Sequence, residues 1–419
     1  MPVRAAVPDA HRWARARAVV PAVAAMTIAV VGASLAGVRA VQALRREGHV
    51  GRIVVVGAER HWPPFDRPPL SKQVLTGAWE ADRARLRISD PFDADLVLGR
   101  RVTAVDLASR TLTLDDGATV EADEGMVVAT GAIPRTLAGT ERLARVHVLR
   151  TIDDARALRA DLERAERVVV VGAGFIGCEV ASSCRALDKH VTLVEALDRP
   201  LTRVLGPTMG DVATALHEAN GVDVRLGVGV QAIEGDGAVE RVVLAGADAE
   251  VLDADVVVVG IGVRPATDWL QGSGLTLDDG VLCDEACVAI GSGGWVVAAG
   301  DVARWPNQRF GTVMRVEHWT NATDQAAHAA RALLHGADAA GPFEPVPYFW
   351  SDQHGTKFQF VGATAPGDEV AVVEGDTGDR RFVAAYRRGH RTVAALCVNW
   401  PARTIPWQQA IAAGDRAPG

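Results

Sequence analysis

Cysteine is scarce in this sequence: 419 residues carry five, Cys178, Cys184, Cys283, Cys287 and Cys397. So few, at irregular spacing, exclude a disulfide framework and predict a chain kept in a reducing cytoplasm. Cys283 and Cys287 stand four apart, but no histidine or second cysteine pair accompanies them at zinc spacing, so no metal site is expected. A surplus of basic charge is also missing. The formal net charge is -8, which argues against a nucleic-acid binder, whose surface must neutralise phosphates. No apolar run reaches the length that crosses a bilayer, so no membrane partner is expected.

What is present is the profile of a globular α/β protein: 48% hydrophobic and 23% charged residues, rich in glycine and valine. The length is too great for one ordinary core and predicts two to four domains. The first 25 residues place four arginines ahead of a short apolar run, like a targeting segment. That run flows through Met26 straight into a strand with no spacer, so residues 1–25 are expected to be a disordered extension, with Met26 as a candidate natural start.

Two segments repeat one design, "TIAVVGASLAGVRAVQALRREG" from Thr27 and "RVVVVGAGFIGCEVASSCRALDKH" from Arg167. Each is a β-branched run, a glycine turn, a helix and a second strand that closes on an acid. In the second, Gly172, Gly174 and Gly177 fill all three positions of a dinucleotide cradle: the tight turn, the close approach to pyrophosphate, and helix-on-strand packing. Glu195 then arrives where a carboxylate can bind an adenosine ribose, and its charge disfavours the extra phosphate of NADP. Arg199 and Arg203 could hold that phosphate or the pyrophosphate. The first cradle reads Gly32, Ser34, Gly37, with serine at the second position, its hydroxyl a possible phosphate donor, and Glu59 at the ribose position. Two cradles in one chain point to two dinucleotides exchanging a hydride. From about Gly336 the pattern changes to aromatic and charged alternation, predicting antiparallel strands of a smaller α+β unit.

The ordered set "GASLAG", "DRPPLSK", "ATGAIPR", "GAGFIGCE", "GIGVRP", "AAGDVA", "RVEHWTNA" and "YFWSDQ" resembles the FAD-dependent pyridine-nucleotide oxidoreductases. Within them it is most similar to the ferredoxin reductases of Rieske-type dioxygenases and haem-thiolate monooxygenases. The resemblance runs from Met26 to the C-terminus. It implies an α/β fold with two Rossmann-like domains plus a small α+β C-terminal domain: FAD in 26–140 and 265–336, NAD in 141–264, and a reductase domain in 337–419. FAD is then expected against Gly32, Ser34, Leu35, Ala36, Gly37, Glu59, Arg60, Arg67, Lys72, Val102, Ala129, Thr130, Gly131, Arg135, Gly300, Asp301, Glu317, His318 and Trp319. Asp301 would meet the ribityl chain and cap a helix aimed at the pyrophosphate. NADH, rather than NADPH, is expected against Gly172, Gly174, Phe175, Ile176, Gly177, Glu179, Glu195, Arg203, Gly260, Ile261 and Gly262. Ala266 and Trp400 depart from residues common among such relatives.

By the same resemblance, Lys72 and Glu179 would meet near flavin N5 as the catalytic pair. Many two-dinucleotide flavoenzymes carry a redox-active cysteine pair near "FDRPPLSK"; this chain carries none there. Cys178 and Cys184, six apart on one helix, are not placed to bond. Electrons from NADH are therefore expected to leave FAD singly, to a [2Fe-2S] ferredoxin. The resemblance also admits a rubredoxin reductase, an NADH oxidase, or a redox-gated binding protein of the apoptosis-inducing-factor type. A stretch without acids, bearing Arg380, Arg381, Arg387, Arg388, Arg391 and Arg403, is a candidate basic face for an acidic ferredoxin. The protein is expected as a monomer or homodimer.

Overall fold

The computed structural model describes residues 26–89, 91–246 and 250–418; the expectation for residues 1–25 lies outside the described residues. The two β-branched runs each found a five-stranded parallel sheet. In the first, Thr27–Val31 lies between Arg52–Gly57 and Gly125–Val128, with Asp95–Leu98 and Val296–Ala298 at the edges. In the second, Arg167–Val171 lies between His190–Glu195 and Val256–Val259, flanked by Val222–Leu226 and Val146–His147. The central strands are apolar almost throughout because both faces of each parallel sheet are covered, one by helices and the other by antiparallel strands.

Each sheet carries a three-stranded antiparallel companion, from Val102 to Glu121 and from Val230 to Asp253. The chain passes between the two halves through a short pairing of Ala132–Pro134 with Val263–Pro265. The C-terminal part is a five-stranded antiparallel sheet in the order Tyr348–Gln353, Thr356–Gly362, Arg391–Val398, Arg381–Arg388, Glu369–Asp376, packed on the helix Pro401–Ala413.

One apolar cluster joins Phe65, Leu70 and Leu75 to Cys178 and Val180 of the second cradle helix, and to Phe349, Phe358 and Tyr386 of the C-terminal sheet. Burial of this shared surface docks the Pro68–Pro69 segment against the second cradle. The prolines fix its backbone there.

One sequence expectation fails. No helix follows Asp301: a turn closed by Ala303 N–H on the Gly300 carbonyl leads into a hairpin of Ala303–Asn307 with Thr312–Arg315. The alternation of buried and half-buried residues along "ARWPN", with Pro306 inside it, suits a strand and not a helix. The helix of this region begins at Trp319, with His318 at its N-cap.

Candidate active site

Glycine is required where the cradles fold back on themselves. A Cβ on Gly37 would run into the Gly32 carbonyl, and one on Gly177 into that of Gly172. Gly32, with φ +120°, and Gly172, with φ +98°, touch the backbone at Ala129 and Gly260 respectively. Gly174 differs, because a Cβ there would meet nothing. The equivalent Ser34 makes no capping bond with its hydroxyl and lines a cavity between the two cradles. Each cradle thus closes on backbone behind and opens at its middle position, the shape that admits a pyrophosphate at a helix N-terminus.

The cavity lies between the first cradle, "FDRPPLSK", the start of the second cradle helix, the Gly300–Asp301 turn, the Glu317–Trp319 segment and the C-terminal sheet. Ser34, Leu35, Ala36, Arg67, Lys72, Ala129, Thr130, Gly131, Gly300, Asp301, Glu317, His318 and Trp319 line it, joined by Phe175, Ile176 and Glu179 from the second cradle. Gly32 and Gly37 stand behind the wall. Glu59 pairs with Arg67 at 3.0 Å. Arg60 packs under Gly99. Val102 is buried at the start of an antiparallel strand. Arg135 bonds the backbone of Gly262 and Val263 at the crossing between halves. Glu59, Arg60, Val102 and Arg135 do not line the cavity. Around the second cradle, Gly260 abuts Gly172 and Gly177, and Ile261 packs in the apolar cluster beneath the second sheet. The Glu195 carboxylate accepts the N–H groups of Ala173 at 2.7 Å and Leu197 at 2.9 Å. Arg203 is exposed, and Arg199 is drawn to Asp211 at 2.5 Å.

The centre of the wall is an ion pair. Lys72 Nζ lies 2.8 Å from Glu179 Oε2, with side chains 11% and 7% exposed. Ser71 Oγ donates to the same oxygen at 2.5 Å, and Ser351 Oγ to Oε1 at 2.7 Å. Glu179, in the second turn of the helix Phe175–Ala186, is thus held by groups from two other elements. Two further contacts shape the wall. Arg150 pairs with Asp301 at 2.7 Å, and Trp319 Nε1 donates to Asp66 Oδ1 at 2.8 Å. Burial raises the Asp66 carboxyl above its ordinary value. His318 Nδ1 and Arg150 Nε are buried without partners, both on residues of the cavity wall, as befits a wall built for a polar ligand.

Sequence reasoning did not single out Asp66, Ser71, Arg150, Ser351, Gln353, His217 or His354. Ser71 lay inside "DRPPLSK" and Ser351 and Gln353 inside "YFWSDQ", so the motifs held them without revealing their partners. His217 and Arg150 carried no sequence signal at all.

Strand pairing brings acids to part of the expected basic face. The acids absent from residues 380–403 arrive from the neighbouring strand and the loop before it: Asp368 pairs with Arg388 at 2.8 Å, Glu374 with Arg403 at 2.6 Å, and Glu369 stands opposite Arg387. Arg381 lies over the Trp400 ring.

Burial pushes His217, His318 and His354 down to about 4. Each binds its proton later on acidification than in the unfolded chain, so the unfolded state holds more protons between about pH 6.5 and 4. Stability therefore falls as pH drops through that window. For fully buried His217 the loss approaches about 3 kcal/mol, at about 1.4 kcal/mol per unit; half-buried His354 contributes less. Calorimetry from about pH 7 to 4.5 should show a falling Tm, and His217→Gln should flatten the fall. An equal fall in both would remove His217 from the acid response.

Two nucleotide cradles opening near one cavity, with a buried ion pair between them, define a two-dinucleotide oxidoreductase. The chain belongs to the pyridine nucleotide-disulphide oxidoreductase family, whose model matches residues 26–326, and a reductase C-terminal model matches residues 348–418. It is 38% identical over 378 residues to the anthranilate 1,2-dioxygenase system ferredoxin–NAD(+) reductase component of Burkholderia cepacia, covering 88% of this chain and 90% of that one. It is 40% identical to the biphenyl dioxygenase system ferredoxin–NAD(+) reductase component of Paraburkholderia xenovorans, covering 86% of each. The solved complex of putidaredoxin reductase with putidaredoxin matches with a TM-score of 0.86 at 33% identity, covering 94% of each chain. Family and relatives imply FAD and NADH as cofactors. No helix among the described residues is long and apolar enough to cross a membrane.

Proposed function

We propose that this chain is an NADH-dependent, FAD-containing reductase that passes electrons to a [2Fe-2S] ferredoxin feeding an oxygenase, in a reducing cytoplasm. The observation that carries this reading is the cavity wall. It holds Lys72, Glu179, Trp319 and Trp350, and among the described residues no thiol. All five cysteines are free and buried, and burial raises the Cys178 thiol well above its ordinary value. Without a dithiol to take an electron pair, a one-electron carrier is the fitting acceptor. The relatives, ferredoxin–NAD(+) reductase components of dioxygenase systems, agree.

In this reading the first cradle and the Gly300–Asp301 turn hold FAD, with Arg150 fixing Asp301, and the second cradle holds NADH. Glu195, its carboxylate at the cradle mouth, disfavours a 2′-phosphate. When bound, FAD supplies hydride acceptance and single-electron release. Lys72 would supply positive charge to the bound flavin, Glu179 holds that lysine, and Phe175, Phe349 and Trp319 would exclude water from the cavity.

The test is NADH-driven reduction of cytochrome c, with and without a [2Fe-2S] ferredoxin, beside oxygen consumption. Ferredoxin-dependent reduction is expected. Rapid oxygen consumption indifferent to ferredoxin would overturn the reading. Because Arg388 is already paired, Arg388→Glu should change ferredoxin reduction by less than about two-fold at moderate salt. A fall of about ten-fold or more, abolished by salt, would restore that arginine to the docking face.

A further inference from the structure

A single line of hydrogen bonds runs from Glu179 to the protein surface. Ser351 Oγ donates to Glu179 Oε1 at 2.7 Å, and Gln353 Nε2 donates to Ser351 Oγ at 3.0 Å. His217 Nε2 lies 3.2 Å from Gln353 Oε1, and His354 Nε2 lies 3.1 Å from His217 Nδ1. Glu179, Ser351, Gln353 and His217 are all buried, while His354 reaches the half-exposed surface.

Each link removes an ambiguity from the next. A serine hydroxyl can point several ways, an amide can sit in two orientations, and a neutral imidazole has two tautomers. Gln353 Oε1 is only an acceptor, so His217 carries its proton on Nε2 and leaves Nδ1 bare. The bare Nδ1 takes the proton of His354 Nε2. With its oxygen engaged by His217, Gln353 turns its NH₂ to Ser351. Ser351 Oγ, already accepting, has one proton left and gives it to Glu179. Every donor points toward the carboxylate.

The backbone supports this arrangement at its outer end. His354 and Gly355 form the two-residue turn between Tyr348–Gln353 and Thr356–Gly362, with φ of 48° and 70°. Such turns favour Asn or Gly. Here a histidine occupies the position, and its N–H is anchored on Ser182 Oγ of the second cradle helix at 2.7 Å. His217, Arg185 of that helix and Arg380 face the His354 ring.

We infer that His354, His217, Gln353 and Ser351 are positioning residues that set the orientation of the Glu179 carboxylate and so keep Oε2 turned to Lys72. The functional half of this inference rests on the reading that nicotinamide and flavin meet at that pair; the structural half does not.

The test uses the flavin-loaded protein, labelled with 15N-histidine and without NADH. His217 should appear as one Nε2–H tautomer above about pH 6. His354→Asn keeps a residue suited to the turn while deleting the imidazole. It should convert His217 to a mixed or reversed tautomer, and Ser351→Ala should shift the His217 nitrogens although the two residues do not touch. In rapid mixing with NADH, Ser351→Ala should lower the limiting rate of flavin reduction about ten-fold with little change in NADH affinity, and His354→Asn should lower it several-fold. Unchanged His217 signals in both variants would overturn the line of coupling. Shifted signals with wild-type reduction rates would overturn its role in positioning Glu179. Neither readout involves ferredoxin, so failure here is distinguishable from failure of the proposed electron acceptor.

Discussion

Replacing Lys72 by methionine is expected to slow reduction of the bound flavin by NADH about 10²- to 10³-fold, the range seen when one preorganised stabilising donor is removed. The ammonium lies 2.8 Å from Glu179 in a wall that the structure largely shields from water, where its charge is poorly screened. The same change leaves a buried carboxylate without its cation. Breaking a buried pair in this way costs about 3–5 kcal/mol, although the Ser71 and Ser351 hydroxyls offset part of it. Stability and rate can be separated with the double variant Lys72→Met, Glu179→Gln, which removes both charges while the new amide oxygen can still accept from a serine. It should regain most of the lost Tm and none of the lost rate. Recovery of both would show that Lys72 serves only to neutralise Glu179.

The second large effect concerns the cradles, where two glycine-to-alanine changes should part company. Gly37→Ala drives a methyl into the Gly32 carbonyl, and neither backbone can yield without opening the turn between strand and helix. The protein should lose its FAD on desalting, with the flavin absorbance near baseline. Gly174→Ala places its methyl in open space, so the fold and the yellow colour should persist. On the proposed reading, that space belongs to NADH. NADH binding should weaken about ten- to a hundred-fold, or about 1.4–2.8 kcal/mol. A Gly37→Ala protein that retains FAD normally would show that this close approach can relax. Unaltered NADH affinity in Gly174→Ala would move the pyrophosphate elsewhere.

The family match and the lack of a thiol among the described residues of the cavity wall fit together. The family takes its name from a disulphide chemistry that this chain does not carry at its site. Its ion pair occupies the wall instead, and that substitution bears on which acceptors suit it.

Much of this was legible in the residues. Strand periodicity and glycine spacing are local properties, so the two cradles and the antiparallel C-terminal sheet could be read directly. The hairpin after Asp301 was missed because the family resemblance at "AAGDVA" implied a helix there, while the strand that follows depends on pairing with Thr312–Arg315, further along the chain. The arginine stretch hid its acidic neighbours for a related reason. Charge along a sequence says nothing about the strand that will lie beside it, and here that strand and its entry bring Asp368, Glu369 and Glu374.

The two parallel sheets, the cradle glycines and the lack of a dithiol were already set in the residue order, because each depends on neighbours along the chain or on composition. The chemistry of the wall was not, and it took the folded chain to assemble it. Lys72 and Glu179 are 107 residues apart, Ser351 lies 172 beyond Glu179, and Arg150 reaches Asp301 across 151. Those meetings follow from burying one apolar surface shared by the proline segment, the second cradle helix and the C-terminal sheet, a term set by the whole fold and not by any one stretch of it.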